Sequence, residues 1–383
     1  MFLVLVGCIE PVQLEWKFDL GAPSLSTPLV TDSFIAVGTS QGVRILTRNG
    51  SQRCAFDKAG EVISRPTTDG ERIFFGSTNY LIYAMDNHCK ELWSFQTRDR
   101  VKADPVVENG VVYVGSYDGH FYALDAKTGK PVWVFPETQG KTKKPAEFEI
   151  VNQDAKPDPA TTQAKPTPAP EAIKDSPTDV GGFSYSSAAI YNGVIFVGNL
   201  DYRLYALDAA TGKMLWRYKT EAPVTSSPTV ADATVYFGSN DGNVYAINIE
   251  NPKQPTVRWK VPTRDWVNSS VRLDEGTAFI GSNDRRLYAL DAKSGAARWS
   301  FATRGPAISV PAVFKNLVFI AGGAGDGTIY ALNKKTGDLH WRFRTGDKIE
   351  SDPIVSVEDR HLYLSSSDGF FYAFIINSTV QRR

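Results

Sequence analysis

Short runs in which apolar and polar residues alternate, grouped in fours, fill the chain almost from end to end. In one group the runs cover 104–107, 111–116, 120–125 and 131–135, separated by Asn109-Gly110, Asp118-Gly119 and Thr128-Gly129. A period of two turns one face of each run toward a core, and glycine reaches the positive φ that tight hairpin turns require. Each group therefore predicts a four-stranded antiparallel sheet. Outside residues 136–183 no helical period competes with this pattern.

The group is a repeat. VVYVGSYDGHFYALDAKTGKPVWVF at 111–135 returns as VIFVGNLDYRLYALDAATGKMLWRY at 194–218 and TAFIGSNDRRLYALDAKSGAARWSF at 277–301. The same frame fits 72–95, 235–259 and 318–343, with degenerate copies at 34–56 and 361–378. Equivalent third-strand positions fall at 45, 83, 122, 205, 245, 288, 330 and 372, and equivalent outer-strand positions at 16, 54, 93, 133, 216, 259, 299 and 341. The interval from Tyr122 to Tyr205 is about two periods long and holds no second copy, so it is one period plus an insertion. The last copy supplies three strands before the chain ends, and QLEWKF at 13–18 is a lone outer strand. Joined, they complete one unit. The count closes on an all-β, eight-bladed β-propeller of four-stranded antiparallel blades over residues 9–378, fastened by the N-terminal strand. Closure removes sheet edges that would otherwise template aggregation. The outer-strand tryptophans are expected to wedge blade against blade; Trp266 lies outside this frame, because Trp259 already fills the slot in its repeat.

The repeat DAxTGxxxWxF, preceded by GSxDGxxYAL, resembles the pyrroloquinoline-quinone-type propeller repeat over nearly all of 14–378 apart from the insertion. At the N-terminus, Leu5-Val6-Gly7-Cys8 resembles a bacterial lipobox, so residues 1–8 are read as a signal remnant with Cys8 as the lipidation site. No Lys or Arg precedes Cys8, which places the expected true start upstream. Ile9 rather than Asp follows Cys8, and by the lipoprotein sorting rule this implies the periplasmic face of the outer membrane. The combination resembles the BamB family of barrel-assembly lipoproteins. That resemblance implies a non-catalytic scaffold whose partner is a BamA-like subunit and which touches the membrane only through its lipid. Quinone-dependent dehydrogenases share eight blades, and they are the enzymatic alternative; a propeller binding module for another envelope partner is the third reading. The dehydrogenases need a calcium site, a catalytic Asp and commonly an adjacent cysteine pair, whereas Cys8, Cys54 and Cys89 are all separated.

Charge and composition narrow the chemistry. With 42 basic and 42 acidic side chains, the chain lacks the positive field that nucleic acid would demand. No CxxC pair or four-cysteine zinc set exists, and His88, His120, His340 and His361 show no metal-ligand spacing. Gly140-Lys141-Thr142 lacks the upstream glycine of a phosphate loop, and the glycines at 322–327 fall in a hairpin with no helix behind them. Asp125, Asp208 and Asp291 are expected to bond their own turns. No catalytic, cofactor or metal residue is assigned. Cys54 and Cys89 sit in neighbouring blades; whether they approach closely enough to bond is left open.

Docking chemistry is expected on one face of the disc. In an antiparallel blade the second-to-third hairpins and the links to the next blade share a face, and there the copies differ most. Arg98, Asp99, Arg100, Arg264, Asp265, Trp266 and Arg304 lie in links, and Tyr202, Arg285 and Arg286 lie in hairpins. Arginine and aromatic side chains are enriched at interface hot spots, so these ten are the candidate partner-binding residues. The insertion 136–183 leaves blade three toward this face with eight of the 22 prolines, a composition expected to stay extended and unfolded.

Overall fold

The computed structural model describes residues 11–136, 181–183, 185–251 and 254–377. Cys8 and nearly all of the proline-rich insertion lie outside them. The strands form eight four-stranded antiparallel sheets. Blades one to seven follow one another through 29–56, 67–96, 106–135, 189–219, 229–262, 272–302 and 312–344. The eighth joins Ile354–Ser356, His361–Ser365 and Phe370–Ile376 to the N-terminal strand Val12–Asp19. A 3₁₀ turn at Asp57–Ala59 is the only helical element among the described residues.

Ring closure rests on a full antiparallel ladder running from Val12 opposite Ile376 to Asp19 opposite Phe370. Arg48 of blade one reinforces it from the side. Its guanidinium pairs with Asp359 of blade eight, donates to the Ser356 hydroxyl at 2.9 Å and to the Thr31 carbonyl at 3.1 Å, and lies over the Tyr363 ring.

The outer strands depart from simple alternation. In each blade the ladder shifts register just ahead of the tryptophan position, as between Ala123 and Leu124 or between Leu14 and Trp16. Such a bulge re-aims the side chain that follows it. The indole then reaches the next blade rather than its own. Trp93, Trp133 and Trp259 donate Nε1–H to the carbonyls of Ala126, Ala209 and Ala292 at 3.0 Å, each one blade further round the ring. Each ring lies flat on a turn glycine. A methyl group on Gly129 would come within 2.7 Å of Trp93, and one on Gly212 within 2.6 Å of Trp133. Gly129 also holds φ at 70°, so both space and backbone demand glycine there.

One blade junction solves the same problem covalently. Cys54 occupies the tryptophan slot of blade one, and Cys89, at φ 63°, occupies the glycine slot of blade two. They form a disulfide with their Cα atoms 6.0 Å apart. The outer strands themselves need not meet, because Cys89 sits in the turn that reaches back toward blade one.

Around the central channel the first strands are tied in a belt. The backbone N–H of one blade donates to a side chain of the next: Arg65 to Asp104, Asp104 to Ser187, Ser187 to Ser227, and Ser227 to Ser270. Val310 donates to Asp352 at 2.6 Å, and Asp352 to Thr27 at 2.9 Å. Asp352 is enclosed by the inner strands, although the lumen leaves part of its surface open. Enclosure raises its pKa; the Val310 N–H opposes the rise and the charge of Asp104 adds to it, and the carboxyl is pushed up to about 6.

Two outcomes follow from these junctions. Cys54→Ala should lower stability in urea by about 3–4 kcal/mol, the loop-closure value for a bridged segment of this size, with dithiothreitol reproducing the loss in the wild type; an unchanged midpoint would make the staple idle. Because the folded state holds the Asp352 proton above the ordinary pKa of 3.8, its ionisation costs stability as pH rises from about 4 to about 6. Asp352→Asn should therefore be more stable than the wild type at pH 8 by about 1–2 kcal/mol, the open lumen having reduced the full linkage value, with the gap closing below about pH 4. Parallel urea midpoints across that range would contradict the assignment.

Candidate docking face

The links and the second-to-third hairpins share one face, and hydrogen bonds lace them together. In blade three the Asp118 Oδ2 accepts the Tyr122 hydroxyl at 2.6 Å and the Arg98 backbone N–H at 2.9 Å, while the Tyr117 N–H donates to the Arg100 carbonyl. The same clasp recurs with Asp241, Tyr245 and the Glu221 N–H, with Asp326, Tyr330 and the Arg304 N–H, and with Asp368, Tyr372 and the Gly346 N–H. In blade six Asp284 accepts from Tyr288 and from the Arg264 N–H. Burial, followed by the facing carboxylate, holds the Tyr122 and Tyr245 hydroxyls far above their ordinary pKa. For Asp118, burial works against ionisation, but hydrogen bonds from His120, Tyr122 and the Arg98 N–H outweigh it and keep its pKa low. The links are thus fixed through their backbone, and their side chains are left to face outward.

On this frame Arg98, Arg100, Arg264 and Arg304 are exposed, and Asp99, Asp265 and Trp266 are half-buried. Asp99 and Asp265 each cap the following residue, accepting the backbone N–H of Arg100 at 2.7 Å and of Trp266 at 2.8 Å. Trp266 owes its place to backbone too, its carbonyl receiving the Asn283 N–H at 2.8 Å. The ten candidates do not form one patch. Arg98, Asp99 and Arg100 lie between blades two and three, Tyr202 lies on blade four, and the others cluster from the link before blade six to the link before blade seven. Arg286 stands apart: it opens the third strand of blade six, and its guanidinium reaches outward to the Ser300 hydroxyl at 3.0 Å on the outer strand.

Hairpin conformation marks further residues. Where Gly119, Gly242 and Gly369 take φ of 85°, 81° and 86°, the equivalent positions carry Tyr80, Tyr202 and Arg285 at 74°, 72° and 67°. A large side chain in the left-handed region costs about 1–2 kcal/mol, and such strain concentrates at functional positions. Tyr80 and Tyr202 are 44% and 45% exposed, so burial does not repay that cost. Tyr80 was not among the sequence candidates, although a tyrosine in place of the hairpin glycine was a readable signal. Near the channel mouth, Arg100 and Lys102 lie over the Tyr117 ring at 5.2 and 5.3 Å, and Tyr117 meets Tyr185 edge-on. Among the described residues, no three His, Cys, Asp or Glu side chains converge as a metal-holding group.

Comparison with known proteins fits this architecture. A curated relative, the Outer membrane protein assembly factor BamB of Moranella endobia, is 23% identical over 62% of this chain and 55% of its own length. The 1-butanol dehydrogenase (cytochrome c) of Thauera butanivorans is 29% identical over 40% of this chain, a stretch spanning 19% of that protein. The crystal structure of BamB from Moraxella catarrhalis superposes with a TM-score of 0.72, covering 95% of this chain and 99% of that one at 15% identity. The family model described as Outer membrane protein assembly factor BamB matches residues 40–155, 169–254 and 251–378, and with this coverage of the repeats the chain belongs to that family.

Proposed function

We propose that this chain is a non-catalytic periplasmic scaffold, anchored to the outer membrane by a lipid on Cys8, that assists assembly and insertion of β-barrel proteins by docking a BamA-like subunit through its inter-blade loops. The observation that carries the reading is the contrast on the loop face. Backbone clasps repeat from blade to blade, while the side chains they present vary and include exposed arginines and tyrosines held at strained hairpin tips. A rigid frame that displays arginine and aromatic anchors lowers the ordering cost of association. Family membership supplies the class of partner.

Quinone-dependent alcohol oxidation is the second reading; the segment shared with the Thauera 1-butanol dehydrogenase favours alcohol oxidation, and one shared with the quinohemoprotein alcohol dehydrogenase of Comamonas testosteroni favours the quinone. The residues present fit it poorly. The chain's disulfide sits at the rim between blades one and two, not as an adjacent pair over a cofactor, and the channel carboxylates Asp104 and Asp352 are each engaged by a backbone N–H.

A pull-down from envelope extract tests the docking reading. Arg98→Glu combined with Arg264→Glu should reduce recovery of the barrel-assembly subunit by about tenfold or more, in keeping with charge reversal at two hot-spot arginines, and should leave the fold intact. Undiminished recovery would remove the arginine face from the interface, and failure of the wild type to recover such a subunit would overturn the scaffold role.

A further inference from the structure

Blade one breaks the pattern of the loop face. Its second-to-third hairpin pairs Gly38 with Val43, whereas the equivalent pair in blade three is Gly115 with Phe121, so the blade-one hairpin is one residue shorter. Its clasp is missing as well. Arg44, one residue before the position 45 counted from the repeat, stands in the tyrosine slot because the hairpin is shorter, and turns away to bond Asp57 at 2.6 Å. Where the shortened hairpin draws back, a cavity of about 300 Å³ opens beside the channel mouth, walled by links of blades eight, one and two.

The cavity joins two chemistries. Leu25 and Ile63 give it apolar walls, and the acidic residues Glu61 and Asp347 belong to its lining. Among the described residues neither carboxylate takes part in a salt bridge, although Asp347 caps the N–H of Lys348. The one cation in the lining, Lys348, is already neutralised by Glu350 at 2.6 Å. Ser367 completes the lining on the blade-eight side. Two carboxylates outside any ion pair, beside aliphatic walls, ask for a cationic donor on an apolar stem.

We infer that this cavity is a receptor for an arginine side chain presented by an extended segment of a partner protein. The guanidinium offers five donors and is weakly hydrated, so it suits carboxylates bordered by apolar walls. The volume stands at the lower limit for small-molecule pockets and matches a protruding side chain with its neighbour better than a cofactor. The site lies in the blade eight, one and two sector, one link before the Arg98 loop, and it carries the opposite charge.

Titration of the full chain with two blocked peptides, acetyl-Leu-Arg-Leu-amide and its citrulline counterpart, tests the inference. The arginine peptide should saturate in the millimolar range or below, and the neutral, isosteric citrulline peptide should bind about tenfold more weakly. Glu61→Gln should weaken the arginine peptide about fivefold, with the melting temperature unchanged. Leu25→Trp, which fills the cavity, should abolish binding. Equal affinity for the two peptides, indifference to Glu61→Gln, or absence of saturation would each overturn the assignment. No envelope protein takes part in the titration, so its failure would leave the docking proposal standing.

Discussion

Each blade of this protein carries an outer-strand side chain whose seat lies on the following blade. The indoles of Trp93, Trp133 and Trp259 bond carbonyls one blade ahead and cover glycines there, and the Trp16 ring covers Gly50 across the ring junction. A sheet of four short strands cannot bury both of its faces alone, and here it depends on its neighbours for cover. The dependence has no natural end until the last blade meets the first. Closure through Val12–Asp19 is therefore the condition for every other junction, and Arg48 with Asp359 and the inner belt of side-chain bonds strengthen it at two further radii.

Stability placed between blades leaves the loop face free to vary. The Asp–Tyr clasps fix the links before blades three and five to eight by their backbone, so Arg98 and Arg264 are displayed without being needed for packing. The same logic explains how blade one can lose its clasp and a hairpin residue, opening a cavity, while its core stays intact under a disulfide. A face assembled in this way holds cationic and aromatic groups in some sectors and acidic, apolar chemistry in another.

The architecture was legible because it is periodic. Eight equivalent strand positions, a lone outer strand at the N-terminus and a last copy that lacks its own admit one closed arrangement, and the ladder between Val12–Asp19 and Phe370–Ile376 bears it out. What escaped were register shifts and contacts between residues that no single repeat phrase joins. The bulge before each tryptophan leaves composition unchanged, and only a register shift reveals it. Asp118 and Tyr122 sit four residues apart in a phrase read for its turn, yet their purpose is to receive the Arg98 backbone, which belongs to the preceding link. The serines at 186, 226 and 309 each receive a backbone N–H from the second strand, and the recurring Ser-x-Pro or Ser-x-x of the links was their trace. The bond between Cys54 and Cys89 stayed an open question in the sequence, because the reach of a turn toward the neighbouring blade is a tertiary fact. Arg286 reads as a hairpin residue in sequence and proves to be a strand residue facing the rim.

Native-state hydrogen exchange at the ring junction tests the central claim most directly. If closure is the condition for the other junctions, the amides of Phe18 and Leu20, which face the last strand across the seam, should open only with global unfolding, at the same free energy as Tyr236 and Phe237 in blade five. Exchange of the N-terminal strand by orders of magnitude faster, with blade five still protected, would show a ring that stands without its fastening and would contradict the account.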